Sequence, residues 1–286
     1  MGRKENKLVF EDTARLCKEN STLSSAVKNS CLKQEMISET DDLPSSAGTK
    51  LYNEPAEIIV SKKRSYAAAS AYTNKKVCVL NFASAANPGG GVVNGASAQE
   101  ECLCRCSTLY WCLDTPEMWN KFYQPHRDSK DPIHNDDCIY TPDVIVCKTD
   151  TDQPEEMDEK DWYSVDIISC AAPNLREKPS NTMNPMDGAK KVSITPKALL
   201  ELHKKRMRRI LDLAAKHQNE VVILGAFGCG AFQNDPNVVA LAMKQVLPDY
   251  LHAFETIEFA VYCSPRDDSN YRTFQRTLHP LTDSKR

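Results

Sequence analysis

Glu100 and Glu101 are adjacent carboxylates in the run Gln99-Glu100-Glu101, and seven residues, 92–98, separate that run from Gly89-Gly90-Gly91. A positioned carboxyl group can give a proton to a leaving oxygen and take one back from water. Bare glycine backbone can approach a phosphate and turn its N–H groups toward it, aided by the start of a helix. Together these residue types point to acid/base chemistry on a phosphorylated ligand. A second glycine segment, Gly225, Gly228 and Gly230, strengthens that reading. Seven of the ten glycines in the chain fall in these two segments when Gly95 is counted with the first. Glycine costs backbone entropy, so such clustering needs a local reason. Neither segment has the GxxxxGK[ST] spacing of a phosphate loop or the GxGxxG spacing of a dinucleotide fold. The pattern therefore argues against a standard kinase or dehydrogenase.

The two glutamates are not equivalent. Ala98, Cys102, Cys106, Leu109 and Leu113 recur at helical spacing, which predicts a helix beginning near Ser97. Ser97 and Glu100 then form a capping box, giving Glu100 a structural task. Glu101 sits about 100° further around the helix and cannot share it. Its bland role is that of a first-turn acid favoured by the helix dipole, and its functional role is general acid and base. A helix N-terminus lowers a carboxyl pKa, whereas an acid catalyst needs it raised. The Glu100 charge, a bound phosphate and exclusion of water would supply the opposing push.

The positioning elements follow from periodicity. Residues 77–82, 144–147, 165–170, 221–224 and 257–262 are near-continuous apolar runs, as expected of strands covered on both faces. Thr195-Pro196 and Asn234-Asp235-Pro236 are N-cap signatures, opening helices that run to about 217 and 247. Alternation of strands and helices implies an α/β fold, a three-layer α/β/α sandwich. Both glycine segments follow the carboxyl ends of strands, where open α/β sheets bind ligands. Residues 7–18 have helical composition. Residues 20–50 are polar and read as a loop-rich extension. The acidic stretch 149–162 reads as a solvated loop, and Lys204-Lys205-Arg206-Met207-Arg208-Arg209 as a solvated helix face rather than a nuclear-import run.

Composition narrows the classes further. The 286 residues are 41% hydrophobic and 26% charged, with a net charge of -3, so no basic field argues for general nucleic-acid binding. No apolar run is long enough to span a bilayer, and the first residues are polar, so no membrane partner is expected. The twelve cysteines are then free thiols of a reducing compartment, in a cytoplasmic chain or a nuclear one. Cys102, Cys104 and Cys106 alternate along a helix, which turns Cys104 away from the other two. They read as small core residues, with no metal site and no cofactor implied.

At these residues the sequence resembles a known family. The triple glycine and Gln99-Glu100-Glu101 match the signature of poly(ADP-ribose) glycohydrolases. VLNFASAANPGGGVVNGASAQEECLCRCSTLY (79–110), VDIISCAAPN (165–174) and ILGAFGCGAFQNDP (223–236) are similar to its short microbial-type branch. The resemblance spans residues 66–262 in order and leaves the first fifty aside. It implies a macrodomain at 51–286 with an N-terminal helix and loop-rich extension at 1–50, acting as a monomer on poly(ADP-ribose) or ADP-ribosylated protein. It further implies hydrolysis of the terminal ribose–ribose bond, working from the chain end and releasing ADP-ribose. By position, Glu101 would be the acid/base and Glu100 would hold ribose hydroxyls. Gln99, Gly89, Gly90, Gly91 and Val92 would belong to the ligand loop, wrapping the diphosphate and distal ribose. Gly225, Ala226, Phe227, Gly228, Cys229, Gly230, Ala231 and Phe232 would cradle the diphosphate from the other side, with Phe227 against the terminal ribose. Asn81 and Ser84 stand where longer members have Asp and Asn. Two alternatives share these loops: a hydrolase of another ADP-ribosyl linkage, on protein, nucleic acid or an O-acetyl ester, and a macrodomain that binds ADP-ribose without cutting it.

Overall fold

In residues 77–82 alternate side chains enter two different cores, Val77 and Val79 on one face of the sheet and Cys78 and Leu80 on the other. Val221 and Ile223 are divided from Val222 and Leu224 in the same way. Burial on both faces is why these strands are apolar at every position. The computed structural model describes residues 2–282. Its seven strands are β1 (Glu35–Ile37), β2 (Glu57–Ser61), β3 (Val77–Phe82), β4 (Cys138–Val146), β5 (Tyr163–Cys170), β6 (Val221–Leu224) and β7 (Thr256–Ala260). They form one sheet in the order β1-β4-β5-β3-β6-β7-β2. From β5 to β2 every pairing is parallel, while β1 and β4 are antiparallel additions at one edge. Because β3 lies directly between β5 and β6, the loops leaving their carboxyl ends are neighbours. Topology thus brings the two glycine segments together.

Helices cover both faces. On one side lie α1 (Arg3–Glu19), α2 (Ser21–Lys33), α3 (Ser65–Ala69), α4 (Gln99–Cys106) and α5 (Leu109–Leu113), followed by the short α6 (Pro116–Met118) and α7 (Gln124–Ser129). Phe10, Tyr66, Leu103, Cys104, Cys106 and Leu109 join that core. On the other side α8 (Pro196–Lys216), α9 (Pro236–Val246) and α10 (Ser269–Thr282) pack through Met207, Leu211, Met243 and Phe274. The two expected N-caps form: Thr195 accepts from the Ala198 N–H and Asp235 from the Asn237 N–H. The chain is therefore a three-layer α/β/α sandwich, as its strand and helix alternation implies.

Four local expectations need correction. Residues 21–33 are not loop but α2, capped by Asn20, whose side chain accepts from the Thr22 and Leu23 N–H groups. Its hydrophobic signal is weak because one residue, Leu23, anchors it, packed with Leu16, Cys17 and Cys147. β1 and β2 were invisible for a similar reason: they are short, and pairing with β4 and β7 rather than their own pattern makes them strands. The basic run on α8 is not a purely solvated face. Arg206 is 1% exposed, and its guanidinium donates to Asp136 and to the carbonyls of Ala171, Ile133 and His134. In the acidic stretch, Asp150 is buried and accepts from the Tyr66 N–H, which ties α3 down.

Candidate active site

The helix that carries the glutamates starts at Gln99, with Ala98 as N-cap and no side chain capping it. The capping box between Ser97 and Glu100 therefore does not form. Gln99 anchors the helix instead, by bridging to the end of β3. Its Nε2 donates to the Leu80 carbonyl at 2.8 Å and to Ser65 Oγ at 3.0 Å, and its Oε1 accepts from the Phe82 N–H at 2.9 Å. Three bonds fix the first turn against the central strand, so both carboxyl groups that follow are set by the sheet.

Glu100 is buried, and both of its oxygens have donors. Oε2 accepts from the Ser84 N–H at 2.8 Å and Oε1 from Asn81 Nδ2 at 3.1 Å. Asn81 is oriented in turn by Ser169 Oγ at 2.9 Å, and its own Oδ1 has no partner. Glu101 is 7% exposed and differently served. Its Oε1 accepts from the Gly91 N–H at 2.9 Å, while Oε2 is buried without any partner. Gly90, at φ +57°, lies so close that a Cβ there would sit 2.6 Å from Glu101 Oε1 and 3.1 Å from Glu100 Oε2. Only glycine lets the loop turn past the two carboxyl groups.

Burial raises the pKa of both glutamates. For Glu100, desolvation is the largest cause and the neighbouring Glu101 charge adds to it, opposed by the Ser84, Asn81 and Gly89 donors. For Glu101, desolvation again dominates, opposed by the Gly91 N–H, the first-turn backbone and Arg105. Two buried carboxylates in contact range of one loop do not both ionise cheaply. Glu100 has donors on both oxygens, whereas one oxygen of Glu101 has none, so the two carboxyl groups sit in unlike surroundings although burial raises the pKa of both. Desolvation outweighs the helix N-terminus that would make an acid here too strong.

Both glutamates open onto a cleft of about 790 Å³, within the range of small-molecule sites. Gly90, Gln99, Ala226, Gly228, Gly230, Ala231 and Phe232 all line it. Gly230 faces open space, with nothing within 4 Å of where a Cβ would be. Gly228 backs onto Ala172 and Asn234, and Asn234 Nδ2 holds the turn by donating to the carbonyls of Pro173 at 2.7 Å and Gly228 at 3.1 Å. Other expected ligand residues turn inward. Gly89 faces Tyr110, Val92 and Cys104; Val92 is fully buried; Gly225 packs on Ala260 and Phe82. Gly91 sits under the Met183 carbonyl, and Cys229 is held within the turn by a long Sγ contact to the Phe227 carbonyl. Phe227 does not reach the cleft as expected. Its ring is fully buried against Phe82 and His203, and the aromatic side chains that line the cleft are Phe82, Phe232 and Tyr262.

Other residues were missed altogether. Segment 181–184 closes one side: Asn184 Oδ1 accepts from Ser84 Oγ at 2.7 Å and Asn87 Nδ2 at 2.9 Å, and Asp187 accepts from Asn184 Nδ2 at 3.1 Å. Asp187 is itself paired with buried His134 at 2.7 Å. Arg3 and Asn6 of α1 line the other end, as do Arg64 and Tyr262, which stack at 4.0 Å. No spacing in the sequence announces these contacts, since most of them join segments far apart in the chain. Among the described residues, no group of His, Cys, Asp and Glu could hold a metal ion. The site is thus a cleft bordered by glycine backbone with two buried carboxyl groups of raised pKa at its wall, an arrangement that can serve acid/base chemistry on a small ligand.

Comparison with known proteins agrees with that chemistry. Residues 8–149 match the family model described as microbial-type PARG, catalytic domain. A poly(ADP-ribose) glycohydrolase structure from Thermomonospora curvata is similar over 95% of this chain and 98% of that one, at 27% identity and a TM-score of 0.82. The same enzyme bound to the inhibitor ADP-HPD is similar at 26% identity, with the same coverage and a TM-score of 0.78. A Deinococcus radiodurans poly(ADP-ribose) glycohydrolase in complex with ADP-ribose is 30% identical over 89% of this chain and 98% of that one, with a TM-score of 0.75. No significant match is found among curated proteins.

Proposed function

The chain belongs to the microbial-type poly(ADP-ribose) glycohydrolase family and hydrolyses poly(ADP-ribose), and we propose that it does so from the chain end with Glu101 as acid and base. The observation that carries this reading is the asymmetry at Glu101, one oxygen pinned by the Gly91 N–H and the other buried and unpaired at the cleft. A glycosidic bond breaks through an oxocarbenium-like state that needs protonation of the leaving oxygen and stabilisation of the cationic sugar. Glu101 gives its proton to the leaving ribose oxygen and then accepts one from the attacking water. Glu100, charged and fixed by Ser84 and Asn81, accepts hydrogen bonds from the ribose hydroxyls beside the scissile bond and favours the developing positive charge. Gly90, Gly228 and Gly230 leave room for the diphosphate, whose charge acts in the same sense.

Phe82 and Phe232, rather than Phe227, form the apolar wall against the sugar, and Phe227 supports Phe82 from beneath. We assign residues 51–286 to the macrodomain and residues 1–50 to an elaboration that serves the site. The enzyme acts as a monomer in the cytoplasm or nucleus, and its net charge of -3 supports a reading without general nucleic-acid binding. No helix among the described residues is long and apolar enough to cross a membrane. Release of ADP-ribose from purified polymer, set against mono-ADP-ribosylated protein and ADP-ribosylated DNA, tests the substrate assignment. Faster release from either mono-modified substrate than from polymer would overturn it.

A further inference from the structure

Two polar contacts and one backbone contact join α1 to the loop and helix that carry the catalytic groups. Asn6 is 4% exposed, and its Nδ2 donates to the Gly95 carbonyl at 3.0 Å. Beside it the two backbones touch: a Cβ on Gly95, whose φ is +76°, would lie 2.1 Å from the Arg3 carbonyl oxygen. Two turns further along, Thr13 Oγ1 donates to the Arg105 carbonyl at 2.6 Å. Arg105 is buried on α4, and its Nη1 reaches back to the Ala96 carbonyl at 2.5 Å. The Ala96 N–H donates in turn to the Gly91 carbonyl at 3.1 Å. Residues 91–98 are thus held at Gly95 by Asn6 and at Ala96 by Arg105, whose own backbone is held by Thr13. This short segment connects Gly91, whose N–H donates to Glu101 Oε1 at 2.9 Å, to the helix that bears Glu101.

We propose that α1 belongs to the catalytic apparatus, with Asn6 as a positioning residue that clamps residues 91–98 and so keeps the Gly91 N–H on Glu101. The inference rests on reading Glu101 as the acid and base. Its physical basis is the steep dependence of rate on placement: a displacement of about 1 Å at the reacting groups can cost about a hundredfold. A helix that only filled the core would change stability and leave the folded enzyme's turnover alone.

The test uses the full chain with Asn6→Asp, which keeps the shape and removes the donor, and Thr13→Val, which removes the second attachment. Turnover on polymer, KM and melting temperature are measured for each, with Glu101→Gln alongside. Asn6→Asp is expected to lower kcat at least tenfold, with KM within threefold of wild type and the protein folded at the assay temperature. A folded Asn6→Asp variant with kcat within twofold of wild type, or with its loss confined to KM, overturns the clamp. If Asn6→Asp does not fold, Thr13→Val decides on the same criteria. Glu101→Gln keeps the two readings apart. Retained turnover there removes Glu101 from the chemistry, whereas an inactive Glu101→Gln beside a fully active Asn6→Asp removes only the clamp.

Discussion

The Gly91 N–H occupies one oxygen of Glu101 at 2.9 Å and leaves the other buried without a donor. A carboxylate so placed is poorly stabilised, so the protonated form gains, while the single bond fixes which oxygen carries the proton outward. The same residue type one position earlier, Glu100, has donors on both oxygens. One turn of helix thus presents two carboxyl groups in unlike hydrogen-bonding surroundings, both with a pKa raised by burial.

Replacing Glu101 with glutamine keeps its size and removes the transferable proton. Turnover of polymer should fall by about 10²–10⁴-fold, the range typical of a lost general acid. ADP-ribose affinity, measured by calorimetry, should stay within about threefold, or roughly 0.7 kcal/mol. Retention of more than about a tenth of the wild-type rate would remove Glu101 from the acid role.

The pH profile should show which way the two glutamates act on one another. Glu101 must be protonated to act as acid, and burial raises its pKa above the ordinary 4.5. The alkaline limb of kcat/KM, on which the acid loses its proton, should therefore lie above that value. Glu100→Gln removes a neighbouring negative charge, which should move the limb toward acid pH. The substitution also points an amide N–H₂ at groups that are themselves donors, so kcat/KM should fall by the equivalent of about 1.5–3 kcal/mol. A limb that moves toward alkaline pH, or unchanged kinetics, would contradict the assignment.

Glycines of the second loop separate ligand space from folding space. Gly230 faces nothing within 4 Å, whereas a Cβ on Gly228 would sit 2.6 Å from Ala172 Cβ. Gly230→Leu should leave the melting temperature nearly unchanged and weaken ADP-ribose binding at least about tenfold, or 1.4 kcal/mol. Gly228→Val should lower both stability and affinity, the latter by at least about 2 kcal/mol. Unaltered affinity in a folded Gly230→Leu variant would mean that this loop does not meet the ligand.

Arg206 offers a test of the fold away from the chemistry. It is 1% exposed and bonded to Asp136 and three carbonyl groups. Arg206→Met leaves Asp136 and those carbonyls without their buried partner, and should cost about 3–5 kcal/mol in urea unfolding. Half-buried Lys204, whose ammonium meets the exposed Glu201 carboxylate, should stay within about 0.5 kcal/mol on Lys204→Ala. Equal, small effects would return the whole run to the helix surface.

The sequence alone showed the doubly buried strands, the paired glutamates and the glycine segments. A doubly buried strand must be apolar throughout, and a position whose Cβ would fall within 3 Å of a carboxyl oxygen, as at Gly90, must lack a side chain. Such demands fall on residue type at one place in the chain, so they can be read there. Tertiary structure decided the rest. Glu100 looked like a capping residue because Ser97 stands three positions before it, yet its oxygens found Ser84 and Asn81 across the loop. The resemblance placed Phe227 against the ligand, but the turn aims it into the core, and the aromatic side chains at the cleft are Phe82, Phe232 and Tyr262. Asn6 and Asn184 meet the site from 89 and 97–100 residues away in the chain. Contacts of that kind depend on which elements the sheet order makes neighbours, and a single polar residue carries no mark of the partner it will meet.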